Sequence, residues 1–207
     1  GLFIERAMIR ANDNLAILSA EAPINSPLMT DGAAFLQLQE EFRHAFEMTL
    51  IDLPRNMLIN FPHVLNEVNV AAVVCEMTLA SARDTIRILS WLKTNAGHVT
   101  PLVIANRVQP GTAEISKADF EASIERKIDV SIPLDQKAAS AAAKLGKTVI
   151  DASGSSKMSA GIKQAASQII GLGETDSEDV EASDGKKSLL GGFDLKGLMT
   201  KKEKVPA

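Results

Sequence analysis

The chain has 207 residues, of which 45% are apolar and 23% charged, with a formal net charge of −4. That composition supports one globular domain with a sizeable core and gives no general reason to expect nucleic-acid binding. The single cysteine, Cys75, excludes an internal disulfide and a cysteine-based metal cluster, and no run of roughly 18 apolar residues is present to span a bilayer.

The opening Gly-Leu-Phe-Ile-Glu-Arg has no initiator Met and no signal-peptide pattern, and reads as entering a domain midway. Together with the cysteine usage this favours a cytoplasmic protein. Residues 15–19 (LAILS) then read as a short strand, 31–46 as a helix, and 48–53 (MTLIDL) as a second strand that stops at Asp52-Leu53-Pro54. Residues 68–75 (VNVAAVVC) form the third strand candidate. Residues 81–93 are the clearest helix, with Ala82, Ile86, Leu89 and Leu92 on one stripe and Ser81 with Asp84 as a capping pair at the start. Residues 102–105 (LVIA) read as a fourth strand, followed by Asn106-Arg107, and 116–126 as a helix. Residues 128–132 (IDVSI) read as a fifth strand, followed by Pro133. A helix over 136–145, a short sixth strand at Val149-Ile150 and a helix over 156–170 complete the series.

Several strand segments are near-continuously apolar. Strands buried on both faces read that way, because helices cover both sides of a parallel sheet. The alternation predicts a doubly wound, mostly parallel α/β domain of three layers, αβα, over residues 1–171. Beyond it the composition shifts: residues 174–184 hold six acidic residues and no basic one, and Lys186, Lys187, Lys196, Lys201, Lys202 and Lys204 then dominate. Residues 172–207 read as a charged, mostly disordered tail.

In an open parallel sheet, ligands bind beyond the carboxyl ends of the strands. The residues to inspect are therefore Asp52-Leu-Pro-Arg55, Glu76-Met-Thr78, Asn106-Arg107 and Pro133-Leu-Asp135. A carboxylate at a strand end can orient Mg²⁺-bound water beside a phosphate, and an Asn side chain offers the donor and acceptor that suit an adenine edge. Each residue also has a plainer reading; an Asp before Leu-Pro often just ends a strand. Their weight comes from occurring in order at successive strand ends. His44, His63 and His98 show no ligand spacing, Cys75 reads as a small core residue, and Trp91 as a packing residue. Gly146-Lys147-Thr148 mimics the end of a phosphate-binding loop. The glycine required five positions before Gly146 is Ala141, however, and Lys147 follows a helix and precedes a strand candidate, the reverse of the required order.

The stretches FEMTLIDLPRN, VNVAAVVCEMTLASAR, LVIANRV and ADFEASIERKIDVSIPLDQKAASAAAKLGKTV, with the earlier ERAMIRANDNLAILSAEAPI, follow a known order. Over residues 1–170 the chain resembles the CpaE/TadZ pilus-assembly family, a branch of the MinD/ParA group of P-loop ATPases. The resemblance implies an incomplete nucleotide-binding domain whose Gly-rich phosphate loop, with its strand and helix, would lie upstream of Gly1. It implies Asp52 as the switch carboxylate, reaching Mg²⁺ through water, and Asn106 at adenine with Arg107 beside it. Pro133, Leu134 and Asp135 would form the loop along the base. ATP and Mg²⁺ would be the cofactors only with the missing half present, so the isolated chain is not expected to act as an ATPase alone. The implied role is to localise and assemble the Flp/Tad pilus secretion machinery, as an ATP-dependent homodimeric switch at the inner face of the inner membrane or a cell pole.

Two rivals stand beside this reading. One is a division or partition positioning ATPase of the MinD or ParA type; a DNA-binding member should show clustered basic residues on the folded domain. The other is a catalytically inactive scaffold. MinD relatives carry a C-terminal amphipathic helix, but residues 188–199 (SLLGGFDLKGLM) spread their apolar side chains around the circumference and include three glycines. They read as a flexible tail or a partner-docking motif rather than a membrane anchor.

Overall fold

Residues 70–133 build a parallel sheet because their apolar runs alternate with capped helices that carry the chain back across it. The computed structural model describes residues 6–19, 25, 31–60, 62–109, 111 and 113–178. The order of elements is β1 (Ile9–Asn12), β2 (Leu15–Ile17), α1 (Gly32–Ala45), α2 (Arg55–Asn60), a 3₁₀ turn (Pro62–Leu65), β3 (Val70–Cys75), α3 (Leu79–Asn95), β4 (Thr100–Val108), α4 (Lys117–Ile124), β5 (Val130–Pro133), α5 (Gln136–Leu145), α6 (Val149–Ala152) and α7 (Lys157–Glu178). The sheet order is β3-β4-β5, all parallel, with β3 and β4 in unbroken register from Val70↔Thr100 to Cys75↔Ala105.

The two faces of β4 separate by the period-2 alternation of a strand. Val103 and Ala105 point to one side, where they pack with Cys75, Met77, Ala82, Phe120 and Ile124 beneath α3 and α4. Leu102 and Ile104 point to the other, against Val130 and Ala165 of α7. Helices on both faces give the expected three-layer αβα arrangement. A third cluster, Leu65, Val73, Leu92, Ala96 and Val99, extends the α3 side toward Leu53 and Leu58. Cys75 lies in this core, where burial pushes its thiol pKa up against a smaller opposing effect of Thr85. It is a packing residue, as its sequence context implies.

Several sequence expectations are corrected. Residues 15–19 do not join the parallel sheet: β2 pairs with β1 in an antiparallel hairpin across Asp13-Asn14, where the Asn14 N–H donates to the Asn12 Oδ1 at 2.9 Å, a local bond that favours a turn. Residues 48–53 form no strand, because a strand needs a ladder and none reaches them among the described residues; Met48 and Leu50 stay exposed. Val149-Ile150 opens the short helix α6, because the Thr148 hydroxyl accepts from the Asp151 N–H at 3.1 Å and nucleates a helical turn. The Ser81 cap is also displaced. Thr78 is the N-cap of α3 and accepts from the Ser81 N–H at 3.1 Å, while the Ser81 hydroxyl accepts from the Glu76 N–H at 3.0 Å. On α3 the inward face holds Ala82, Thr85 and Leu92, which rotates Ile86 to the exposed rim.

The last helix runs on to Glu178, beyond the expected end at residue 170, and Leu172 packs against the core on the α7 face. The tail reading for residues 179–207, including the 188–199 motif, lies outside the described residues. Gly161 of α7 sits over β5 so closely that a Cβ there would meet the Ile132 Cα, the Ile132 Cγ1 and the Ser131 carbonyl oxygen, each at 3.2 Å.

Candidate functional site

The carboxyl ends of β3 and β4 lie side by side, and the chain treats them differently. β3 stops at Cys75, and the Thr78–Ser81 cap turns the chain at once into α3. Because Ser81 holds the Glu76 N–H, the Glu76 backbone is fixed at the strand end. β4 instead continues past its neighbour. Its pairing with β5 shifts between Ala105↔Ser131 and Val108↔Pro133, so Asn106 and Arg107 together carry one extra residue, a bulge.

Arg107 adopts the left-handed conformation, φ 56°, which non-glycine residues rarely do. Its N–H donates to the Asn106 Oδ1 at 2.9 Å, a local bond that engages the carbonyl oxygen of the Asn106 amide and leaves the Nδ2 as its donor. Its guanidinium donates back across the sheet to the Glu76 carboxylate at 3.2 Å. The bulge thus ties the ends of two adjacent strands and presents one amide from between them.

The loop after β5 is locked to the same place. Pro133 pairs with Val108, and the Leu134 N–H donates to the Val108 carbonyl at 3.0 Å. The structure therefore brings Asn106, Arg107, Pro133 and Leu134 together. Asp135 follows directly, but its carboxylate accepts from the Ala138 N–H at 2.9 Å as the N-cap of α5. Its side chain is a helix cap, and the loop offers a partner through its backbone.

Asp52 is not joined to this group. It is exposed, and its carboxylate has no hydrogen-bond or ion-pair partner among the described residues. Its segment is anchored on either side: Leu53 packs against the cluster of Val73 and Leu92, and Arg55 pairs with Asp84 of α3 at 2.7 Å. The sequence left Glu76 without a partner and read Asp84 as a capping partner of Ser81, whereas Asp84 pairs with Arg55. Glu76 sat in the inspected strand-end window; the Arg55–Asp84 pair spans 29 positions and leaves no local signal.

Gly146-Lys147-Thr148 is occupied by helix ends. Gly146 is the left-handed C-cap of α5, φ 58°; its N–H bonds the Ala143 carbonyl and that of Lys147 bonds the Ala142 carbonyl. Thr148 caps α6. The Gly146 and Lys147 amides are spent on the chain; the segment runs from helix to helix, so the expected strand after Lys147 is corrected while the helix before it stands. No group of three or more metal-ligating side chains exists among the described residues.

A shallow cavity of about 420 Å³, lined by Pro101, Arg126, Asp129 and Gln168 among others, lies at the amino-terminal end of β4. It is at the far end of the sheet from Asn106 and Arg107. The strand-end group is the better candidate, because its bulge and left-handed residue are built features, whereas the cavity is the open seam between α7 and the turn before β5.

No family model and no curated protein matches the chain. Solved structures do. A ParA-family ATPase from Chlorobium tepidum superposes with a TM-score of 0.69 at 18% identity, over 78% of this chain and 66% of that one. MinD of Aquifex aeolicus gives 0.65 at 20%, over 81% and 70%. The septum site-determining protein MinD of Pyrococcus horikoshii, solved with Mg-ADP, gives 0.68 at 17%, over 83% and 70%. The chain spans about two thirds of the length of these relatives, and over that span it has the α/β fold of the MinD/ParA ATPases.

Proposed function

We propose that this chain is the base-side part of a CpaE/TadZ-like ATPase, which localises and assembles the Flp/Tad pilus machinery as an ATP-dependent dimerising switch. The observation that carries the nucleotide reading is the bulge at Asn106-Arg107, tied to Glu76 and to the loop at Pro133-Leu134 on a MinD/ParA fold. Asn106 presents its Nδ2 to an adenine edge, with Arg107 beside it, and the 133–135 backbone runs along the base. Asp52 is the switch carboxylate, exposed on a segment that Leu53 and Arg55 anchor beside α3. The residues described here fit the base half of such a site. The phosphate half needs a Gly-rich loop that Gly146-Lys147-Thr148 does not supply. When bound, Mg-ATP supplies the negative γ-phosphate whose presence or loss biases the dimer. The pilus assignment is supported by the ordered set of CpaE/TadZ-like segments, and residues 1–171 are assigned to the nucleotide-binding domain with a tail behind it.

The test uses the full-length gene product. Light scattering with Mg-ATP, Mg-ADP or no nucleotide is expected to show dimers with Mg-ATP alone. Asn106→Ala should weaken nucleotide binding by about three- to tenfold, the loss of one or two net hydrogen bonds. Asp52→Ala should bind nucleotide yet lose the dimer response. An oligomeric state indifferent to nucleotide in the full-length protein would overturn the switch and leave an inactive scaffold. Deleting the gene should abolish Flp/Tad pili and leave division and plasmid partition intact. Salt-dependent retention on DNA would instead favour a ParA-type positioning protein.

A further inference from the structure

The bulge sets three side chains of unlike hydrogen-bonding character together at the ends of β3 and β4. The Arg107 guanidinium only donates, through a planar fork, and the Glu76 carboxylate only accepts. Asn106 does both. The Arg107 N–H uses one lone pair of its Oδ1 at 2.9 Å, which leaves the Nδ2 donor and the second lone pair without a partner among the described residues. The Arg107 Nη1 donates to the Glu76 Oε1 at 3.2 Å, and each is the other's only ion-pair partner among the described residues.

The backbone places this pair. Glu76 follows Cys75, the last residue of β3 in register with β4, and its N–H is held by the Ser81 hydroxyl at 3.0 Å. Arg107 is turned by its left-handed φ of 56° at the shift in the β4–β5 register. Its side chain thus crosses to the neighbouring strand end, 31 positions away in sequence.

Purine bases differ at the edge that such groups read. Beside its N7 acceptor adenine carries a donor, the N6 amino group, whereas guanine carries a second acceptor, O6. An arginine fork matches the two guanine acceptors, and an asparagine amide matches the acceptor and donor of adenine. A free Arg107 would therefore make these strand ends a guanine reader. Paired with Glu76, its guanidinium is already spent on a carboxylate, which a guanine would have to displace.

We infer that Glu76 sets the choice of base: it withholds the Arg107 fork from guanine and leaves adenine to Asn106. This rests on the proposed nucleotide reading and adds to it the residue that selects the nucleotide. Glu76 acts through Arg107, so it is a positioning residue. The pair is exposed, and exposed pairs contribute little to stability, so releasing Arg107 leaves the fold intact.

NMR titration with AMP and with GMP tests this selection. The two share ribose and phosphate, so whatever holds those groups cancels from the ratio of their dissociation constants. The parent protein should favour AMP. Glu76→Gln keeps the shape and loses the charge, and should shift the ratio toward GMP by at least about fivefold, the low end of what one bidentate base contact discriminates. Glu76→Ala, which also frees the fork, should shift it the same way. Glu76→Gln combined with Arg107→Ala should lose the shift, because the freed fork is gone. Three results overturn the inference and leave nucleotide binding standing: a parent that favours GMP, an unchanged ratio while both nucleotides weaken in parallel, or a shift that survives Arg107→Ala. A parent that binds neither nucleotide removes the nucleotide reading and the base selection together.

Discussion

Two glycines on one helix separate helix propensity from packing. Gly161 and Gly171 both lie within α7, where replacing glycine by alanine gains about 0.8–1 kcal/mol of helix propensity at an open site. At Gly171 nothing lies within 4 Å of the new Cβ, so Gly171→Ala should stabilise by about that amount. At Gly161 the same atom would meet the Ile132 Cα, the Ile132 Cγ1 and the Ser131 carbonyl oxygen, each at 3.2 Å. Two of these are backbone atoms of β5 and cannot rotate away. The helix must lift off the sheet, at an overpacking cost of about 1–3 kcal/mol that offsets or exceeds the propensity gain. Gly161→Ala should then be neutral to about 2 kcal/mol destabilising. Urea unfolding of the two variants, with unchanged m values, reads the difference directly. Equal stabilisation by both substitutions would refute the close approach of α7 to β5, and with it the geometry that places one helical layer over β4 and β5.

The remaining predictions concern the α4 side of the sheet. Phe120 is fully buried between α4 and the sheet, and Phe120→Ala should cost about 3–5 kcal/mol by the same urea assay. Glu121 is a buried carboxylate that accepts from Lys127 at 2.8 Å and from the Ile128 N–H at 3.0 Å. The Lys127 hydrogen bond, then that of Ile128, hold its pKa below the ordinary value against the opposing effect of burial. Its contribution is therefore present above the unfolded glutamate value of about 4.3 and is lost as pH falls through the lower folded value. Glu121→Gln should be less stable at neutral pH, and the gap to the parent should close on acidification. A gap that widens as pH falls would reverse the assignment.

The parallel sheet was legible because its central strand β4 buries both faces, and burial on both faces writes a continuous apolar run such as 102–105. The helices were legible by their apolar stripes, and Asp31 and Ser116, where two expected helices begin, are their N-caps. What failed was whatever a local pattern leaves to a distant partner. Residues 48–53 have the composition of a strand, yet a strand is an agreement between two segments. Val149-Ile150 is β-branched, but a threonine cap and one helical turn decided it. The cap of α3 moved three residues because Thr78 and Ser81 both suit the role, and only the helix start at Leu79 selects between them. At the strand ends, position was readable and engagement was not. Asp135 stands directly before the helix expected over 136–145, an N-cap position that the strand-end reading passed over; nothing local marks Arg107 as reaching Glu76, 31 positions away.

The energetics of Arg107 say why that reach matters. A left-handed residue with a Cβ costs about 1–2 kcal/mol. The compensating ion pair joins two side chains that are 58% and 48% exposed, and exposed pairs return about 0–1 kcal/mol. The arrangement does not repay its strain in stability, and a glycine or asparagine would hold the same φ at lower cost. Backbone strain that persists without a stability return is characteristic of functional positions. What the strain secures is positional: the bulge lifts Asn106 out of the β4 ladder, the Arg107 N–H fixes the orientation of its amide, and Glu76 keeps the guanidinium over the ends of both strands. A fixed amide and a guanidinium tied to Glu76, at the carboxyl edge of a parallel sheet where open α/β sheets bind ligands, form the polar site that the proposed nucleotide reading would use.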